Sequence, residues 1–355
     1  MARYGGVGDN LIASSVFAPL RAKYGRLEVI SQTPQSCVFE NNPLIDKLTV
    51  HAPGEIPGAL DEWHKWHVIR SKEYAFFANL SHSVETETCL LPLESKTLWP
   101  REYLRKRYGR SYLEVAADIC GVSIEDCRPE FFPTDEEEAL AQTSIAEQIG
   151  RHPIIAWVLS GTRVDKLHPA STMVVARLIS QLEASVILFG APGRDHAMAI
   201  QIQDFVRKQN GSTNGLHAAV DEKAENQKFG IRRILTMLRH CDLVISPDTG
   251  PAWSVAAHPV PKLMLLSHAS PENITKHWVN TVTLHADPEK VPCWPCHRLH
   301  DSLATCTPDE TGQAAACISS ISVEAIVRNA ARLSKTHDQQ RTGERVAAHE
   351  VAGIS

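Results

Sequence analysis

The sequence predicts an α/β protein made of two parallel-sheet domains that face each other across a cleft. Three observations carry this reading. Short apolar runs alternate with helical patterns in both halves of the chain, the pattern of strand–helix–strand units and parallel sheets. The 355 residues exceed one ordinary core and set about two domains. Residues 242–257, DLVISPDTGPAWSVAA, run from a buried-looking strand through a Gly-containing turn into a small-residue helix. That succession leaves backbone N–H groups at the carboxyl end of a sheet, where anions and phosphate above all are bound. Asp248 and Thr249 are also good capping residues, so a well-capped helix is the plainer alternative.

Composition narrows the function classes. With 43% hydrophobic and 22% charged residues the chain has the make-up of a soluble globular protein. A net charge of −5 and a pI near 6.4 argue against a general nucleic-acid surface. No apolar run approaches the roughly 18–20 residues that span a membrane, and no secretory signal opens the chain, which leaves at most peripheral membrane contact. Nine cysteines, an odd count with several in apolar runs, point to a reduced compartment and so to the cytoplasm.

The first expected domain covers 1–150. Arg3-Tyr4-Gly5-Gly6-Val7-Gly8-Asp9-Asn10 forms a glycine-rich turn, with 11–24 as the helix that follows and almost no chain before it for a first strand. The glycines let a backbone approach a ligand closely, and Asp9 stands at the mouth of the crevice; its bland role is to cap its own helix. Strands are expected at 27–31, 47–50, 66–70 and 75–80, the last running into Ser81 at the crevice edge. A helix over 111–120 ends at Gly121. Arg101, Arg105, Lys106, Arg107 and Arg110 make a basic stretch, either a solvated face or a dock for an anionic acceptor such as a phosphorylated glycolipid. Residues 134–150 read as a helical linker.

The second domain, 151–333, restarts the alternation. Strands are expected at 154–159, 185–189, 243–246, 262–266 and 282–285, and helices at 173–182, 196–207, 231–239 and 322–333. Two sheets of about equal size would then face each other. Residues 334–355 are polar and weakly patterned and read as a disordered tail. Cys293-Trp294-Pro295-Cys296, then Cys306 and Cys317, offer four thiolates for a structural zinc or iron, or simply reduced cysteines in a loop; a closed four-thiolate site leaves no coordination position open for catalysis.

Three segments together resemble glycosyltransferase family 9, the ADP-heptose:lipopolysaccharide heptosyltransferase family. They are Gly5-Gly6-Val7-Gly8-Asp9-Asn10-Leu11, Ser160–Lys166 with the following Pro169, and Pro247-Asp248-Thr249-Gly250-Pro251. Asn42-Pro43-Leu44-Ile45-Asp46 adds a minor match. The resemblance implies a GT-B fold, two Rossmann-like domains with donor and acceptor on opposite walls. It implies inverting transfer from a nucleotide sugar, usually ADP-heptose, to a glycan or glycolipid acceptor, with no metal or other cofactor required for catalysis. By position Asp9 resembles the general base, with Gly8, Asn10 and Ser81 on the acceptor side. Lys166, Ser160, Gly161 and Thr162 resemble the phosphate contacts, and Asp248, Thr249, Gly250 and Pro251 the donor-binding turn. Where family members carry a His two residues after the final proline of that turn, this chain has Trp253. Two other readings share the architecture: a sugar-nucleotide epimerase, which would need no acceptor, and a non-catalytic sugar-nucleotide-binding scaffold.

Overall fold

A computed structural model describes residues 1–84, 99–148, 153–159, 164–223, 228, 230–299, 306 and 314–335. In the N-terminal lobe α1 (Val7–Ser14) and α2 (Phe17–Tyr24) precede β1 (Glu28–Gln32), which pairs in parallel with β2 (Lys47–His51). Ala2 extends this sheet by parallel bridges to Ile30 on one side and Asn79 on the other. Its N–H donates to Ala78 O (2.8 Å) and its carbonyl accepts from Leu80 N–H (2.9 Å). The first strand thus exists as one bridging residue, and the strand expected at 75–80 shrinks to a bridge at Asn79. The 66–70 segment is not a strand; it belongs to α3 (Leu60–Ser71). There His67 is buried while Val68 and Ile69 are exposed, a helical alternation that a short apolar run does not reveal. The lobe continues with α4 (Arg101–Tyr108) and α5 (Tyr112–Cys120), the latter closed by Gly121 in the left-handed conformation.

The C-terminal lobe is a doubly wound sheet. After α6 (Asp135–Gln148) come β3 (Ile154–Val158), α7 (Ser171–Leu182), β4 (Ser185–Phe189), α8 (Arg194–Asn210), β5 (Leu216–Ala219) and α9 (Ile231–Leu238). Then follow β6 (Leu243–Pro247), α10 (Gly250–Trp253), β7 (Lys262–Leu266), α11 (Pro271–Ile274), β8 (Thr281–His285), α12 (Ala316–Ser319) and α13 over 323–335. The six strands are all parallel, in the order β5-β4-β3-β6-β7-β8. Alternate residues feed opposite faces: Ile155 and Trp157 pack with α7 and α8, whereas Ile154, Ala156 and Val158 pack with α6 and α9. Burial on both faces is why these strands read as continuous apolar runs. The four-residue β5, LHAA, lacks such a run and escapes sequence reading.

Three further expectations change. The sheets are unequal, six strands against two plus single bridges, because the first and fourth segments of the smaller sheet are one residue wide. The presumed linker helix α6 is part of the second core, with Ala141 and Ile145 buried beside Met237 and Leu238. Ser334 and Lys335 lie in α13 rather than in a tail; 336–355 fall outside the described residues.

The lobes are packed on each other. One apolar cluster joins Leu11, Phe17 and Leu113 to Trp253, Met264 and Trp278. Arg232 of α9 donates to the Glu137 carboxylate (2.6 Å) and to the carbonyls of Phe132 and Cys37 (each 2.8 Å). At the tightest point a Cβ on Gly250 would meet Val7 Cβ at 2.9 Å and Gly8 N at 3.0 Å. The Gly250→Ala protein is therefore expected to lose about 1–3 kcal/mol through overpacking. Denaturant unfolding checks this; a wild-type midpoint would show that the lobes have slack here.

Candidate functional site

Parallel sheets bind ligands beyond their carboxyl ends, at the point where strand order reverses. In the larger sheet that point lies between β3 and β6, where Ile155 sits opposite Leu243. The segment Asp248–Pro251 leaves β6, and the chain after Leu159 leaves its neighbour β3. The smaller sheet repeats the arrangement: Ala2 lies between β1 and Asn79, and the chain leaving Ala2 forms the glycine turn that carries Asp9. Both reversal points open onto one cleft of about 730 Å³, lined from one side by Gly6, Gly8 and Asp9 and from the other by Lys166, Asp248, Thr249, Gly250, Pro251 and His268.

Asp9 does more than cap its helix. Oδ2 accepts the Gly6 N–H at 2.7 Å, and Oδ1 pairs with the Arg3 guanidinium at 2.8 Å. Arg3 is 2% exposed and also donates to Leu80 O, while the Asp9 side chain keeps 31% exposure to the cleft. Gly5 makes this possible, since its φ is +119° and a Cβ there would meet Asp9 Oδ2 at 2.6 Å. Sequence reading missed Arg3, although a charged residue directly before a glycine turn in a buried strand position is a legible signal.

On the opposite wall Lys166 closes a short 3-10 turn, Val164–Lys166. Its ammonium donates to Asp248 O and lies 3.6 Å from Asp248 Oδ2. The other carboxylate oxygen, Oδ1, accepts from Trp253 Nε1 at 3.2 Å. Trp253 is 2% exposed and meets Trp278 edge to face at 4.8 Å, so it packs and steadies Asp248. Thr249 is the N-cap of α10 by position, yet its side chain makes no capping bond; its hydroxyl is 3.3 Å from Ser246 Oγ. Because α10 is only four residues long, its dipole is small. Stabilisation of an anion falls mainly on side chains.

The remaining expected residues divide clearly. Ser160, Gly161 and Thr162 lie outside the described residues. Gly8 lines the cleft and packs against Trp253, where a Cβ would meet Cδ1 at 3.2 Å. Asn10 is fully buried, its amide donating to Gly6 O and accepting from Ser31 Oγ; it holds the turn. Ser81 accepts the Tyr4 N–H at 3.0 Å and borders a smaller hollow with Gly5, Trp63 and His82. Lys276 and His277 pair with Glu114 of α5 at 2.8 and 3.0 Å. The basic stretch is in part structural: Leu104 and Tyr108 are buried with Leu299, and Arg110 pairs with Asp118.

The four cysteines come near one another, with Cys293 and Cys306 packed against the core that holds Cys317. Burial pushes the Cys317 thiol up to about 12, and the neighbouring Cys296, Cys293 and Cys306 act in the same direction. Among the described residues no group of three or more His, Cys, Asp or Glu side chains is arranged to hold a metal ion. No helix among them is long and apolar enough to cross a membrane.

This architecture, two lobes with parallel sheets whose reversal points share one cleft, is the GT-B fold. No protein-family model matches the chain, and no curated protein matches it by sequence. Solved structures do. A family 9 glycosyl transferase from Veillonella parvula aligns over 94% of this chain and 96% of its own, with 14% identity and a TM-score of 0.61. The ADP-heptose lipopolysaccharide heptosyltransferase II of E. coli aligns over 95% and 99%, with 15% identity and a TM-score of 0.62. The iron-containing dodecameric E. coli glycosyltransferase TibC aligns over 94% and 75%, with 13% identity and a TM-score of 0.53.

Proposed function

We propose that the protein is an inverting glycosyltransferase that moves a heptose or similar sugar from a nucleotide-activated donor, ADP-heptose first among candidates, to a glycan or glycolipid acceptor. One observation carries the reading: Asp9 and Lys166, from different lobes, line the same cleft. Inverting transfer needs a carboxylate to take the acceptor hydroxyl's proton while its oxygen attacks the anomeric carbon from the face opposite the leaving group. It needs positive charge on the other side, where the departing diphosphate gathers negative charge. A GT-B cleft with its acid-accepting group on one wall and its ammonium on the other meets both needs. The structures similar to this one that were solved as heptosyltransferases support the choice of sugar. Arg105, Lys106 and Arg107 in the last turn of α4 support an acceptor with anionic groups.

Ligand-observed NMR with ADP-heptose and a panel of UDP-, GDP- and other ADP-sugars tests this. Selective binding of ADP-heptose, followed by sugar transfer that requires an added acceptor, is the expected result. Turnover of the donor without any acceptor would point to an epimerase instead. Nucleotide-sugar binding without turnover on any donor–acceptor pair would leave a binding scaffold.

A further inference from the structure

His268 stands two residues past the end of β7, at the carboxyl edge of the sheet, and is 6% exposed. It lines the cleft beside Lys166, Asp248 and His297. Its Nδ1 lies 3.1 Å from Asp165 Oδ2 and 3.1 Å from Ser267 Oγ. Asp165 is itself 2% exposed and directly precedes Lys166. A buried carboxylate this close to Nδ1 favours a proton on that nitrogen, the Ser267 hydroxyl helps to fix the ring, and Nε2 is the nitrogen left for a ligand. With α10 reduced to one turn and the Trp253 N–H directed to Asp248, an anion on the donor wall falls to side chains, Lys166, His268 and Arg298 among them.

We propose that His268, oriented by Asp165, is a second contact to the donor's diphosphate: it enters as an imidazolium on nucleotide binding and donates from Nε2 to a phosphate oxygen. This rests on the glycosyltransferase reading above. Burial above all, with the nearby Lys166 ammonium, disfavours the charged ring and lowers its pKa, while Asp165 and Asp248 oppose that shift. On the same side His297 is neutral, its pKa lowered to about 4 by burial, with His268 and Arg105 adding to the shift; Asp9, Tyr112, Asp195 and Arg298 complete the ionisable lining. A diphosphate adds several negative charges and reverses the balance. During transfer the bond between the anomeric carbon and the phosphate oxygen breaks, and its electron pair stays on that oxygen. The acceptor oxygen bonds the carbon and gives its proton to Asp9. His268 keeps its proton and releases it when the nucleotide leaves.

Titration calorimetry of the full chain with ADP, UDP and GDP, in two buffers of different ionisation enthalpy at about pH 7.5, tests this. A terminal phosphate has its second pKa near about 6, so uptake at that pH reports on the protein. Wild type should take up a substantial fraction of a proton with the nucleotide it binds. His268→Gln should lose that uptake and bind roughly 10-fold more weakly, the scale of a lost charge-assisted hydrogen bond. Binding by wild type without uptake, or unchanged affinity in a folded His268→Gln protein, overturns the assignment and leaves the donor site standing. Failure of all three nucleotides to bind folded wild type removes the donor site and this contact with it.

Discussion

Asp9→Asn is expected to lower kcat for sugar transfer by about 10²–10⁴-fold, the usual contribution of a positioned general base, with nucleotide affinity close to wild type. The asymmetry follows from the walls of the cleft. Asp9 projects from the N-terminal lobe, whereas Lys166, Asp248 and His268 project from the C-terminal lobe, so removing the base leaves the donor contacts intact. The carboxylate keeps capacity to accept a proton: its two oxygens offer about four lone-pair sites, and Arg3 and Gly6 each engage one oxygen. The substitution is isosteric but not silent. An amide must turn its NH₂ toward either the Arg3 guanidinium or the Gly6 N–H, and either choice sets donor against donor. Some loss of stability is expected, and a melting curve must show that the variant is folded at the assay temperature. Folded Asp9→Asn protein with wild-type turnover would remove Asp9 from the mechanism and leave it a capping residue.

Much of this arrangement was legible in the sequence because the larger sheet is buried on both faces. Runs such as IIAWV and KLMLL can be little else than parallel strands when helical patterns separate them. The glycine turns were legible for a different reason: close backbone approach restricts residue choice, as the contacts of Gly5 and Gly250 show. What failed was the smaller sheet. Two of its members are single bridges at Ala2 and Asn79, too short for any periodic signal, and WHVIR looks the same as strand or helix until its neighbours decide. His268 was missed because pairing with Asp165 is a contact across more than a hundred residues, which no local pattern records. Asn10 lies one residue along the helix from Asp9, a step that turns the side chain by about 100°, into the core.

Lys166→Ala is expected to reduce kcat/KM by about 10²–10³-fold, by analogy with deletion of a preorganised donor to a developing anion. Unlike Asp9→Asn it should also weaken binding of the nucleoside diphosphate, since the ammonium meets negative charge in the ground state as well as in the transition state. The side chain is 19% exposed, and its present partners are the carbonyl and carboxylate of Asp248. Loss of the ammonium leaves that carboxylate with Trp253 Nε1 as its remaining named partner, on a turn that faces an incoming anion. Part of the loss in Lys166→Ala is therefore repulsion between Asp248 and the diphosphate. A double-mutant cycle with Asp248→Asn separates the two effects: the second substitution should recover a part of nucleotide affinity but little of the rate. If Lys166→Ala retains activity within a few-fold of wild type, the leaving group is stabilised elsewhere in the cleft, and the opposed-wall mechanism must be abandoned.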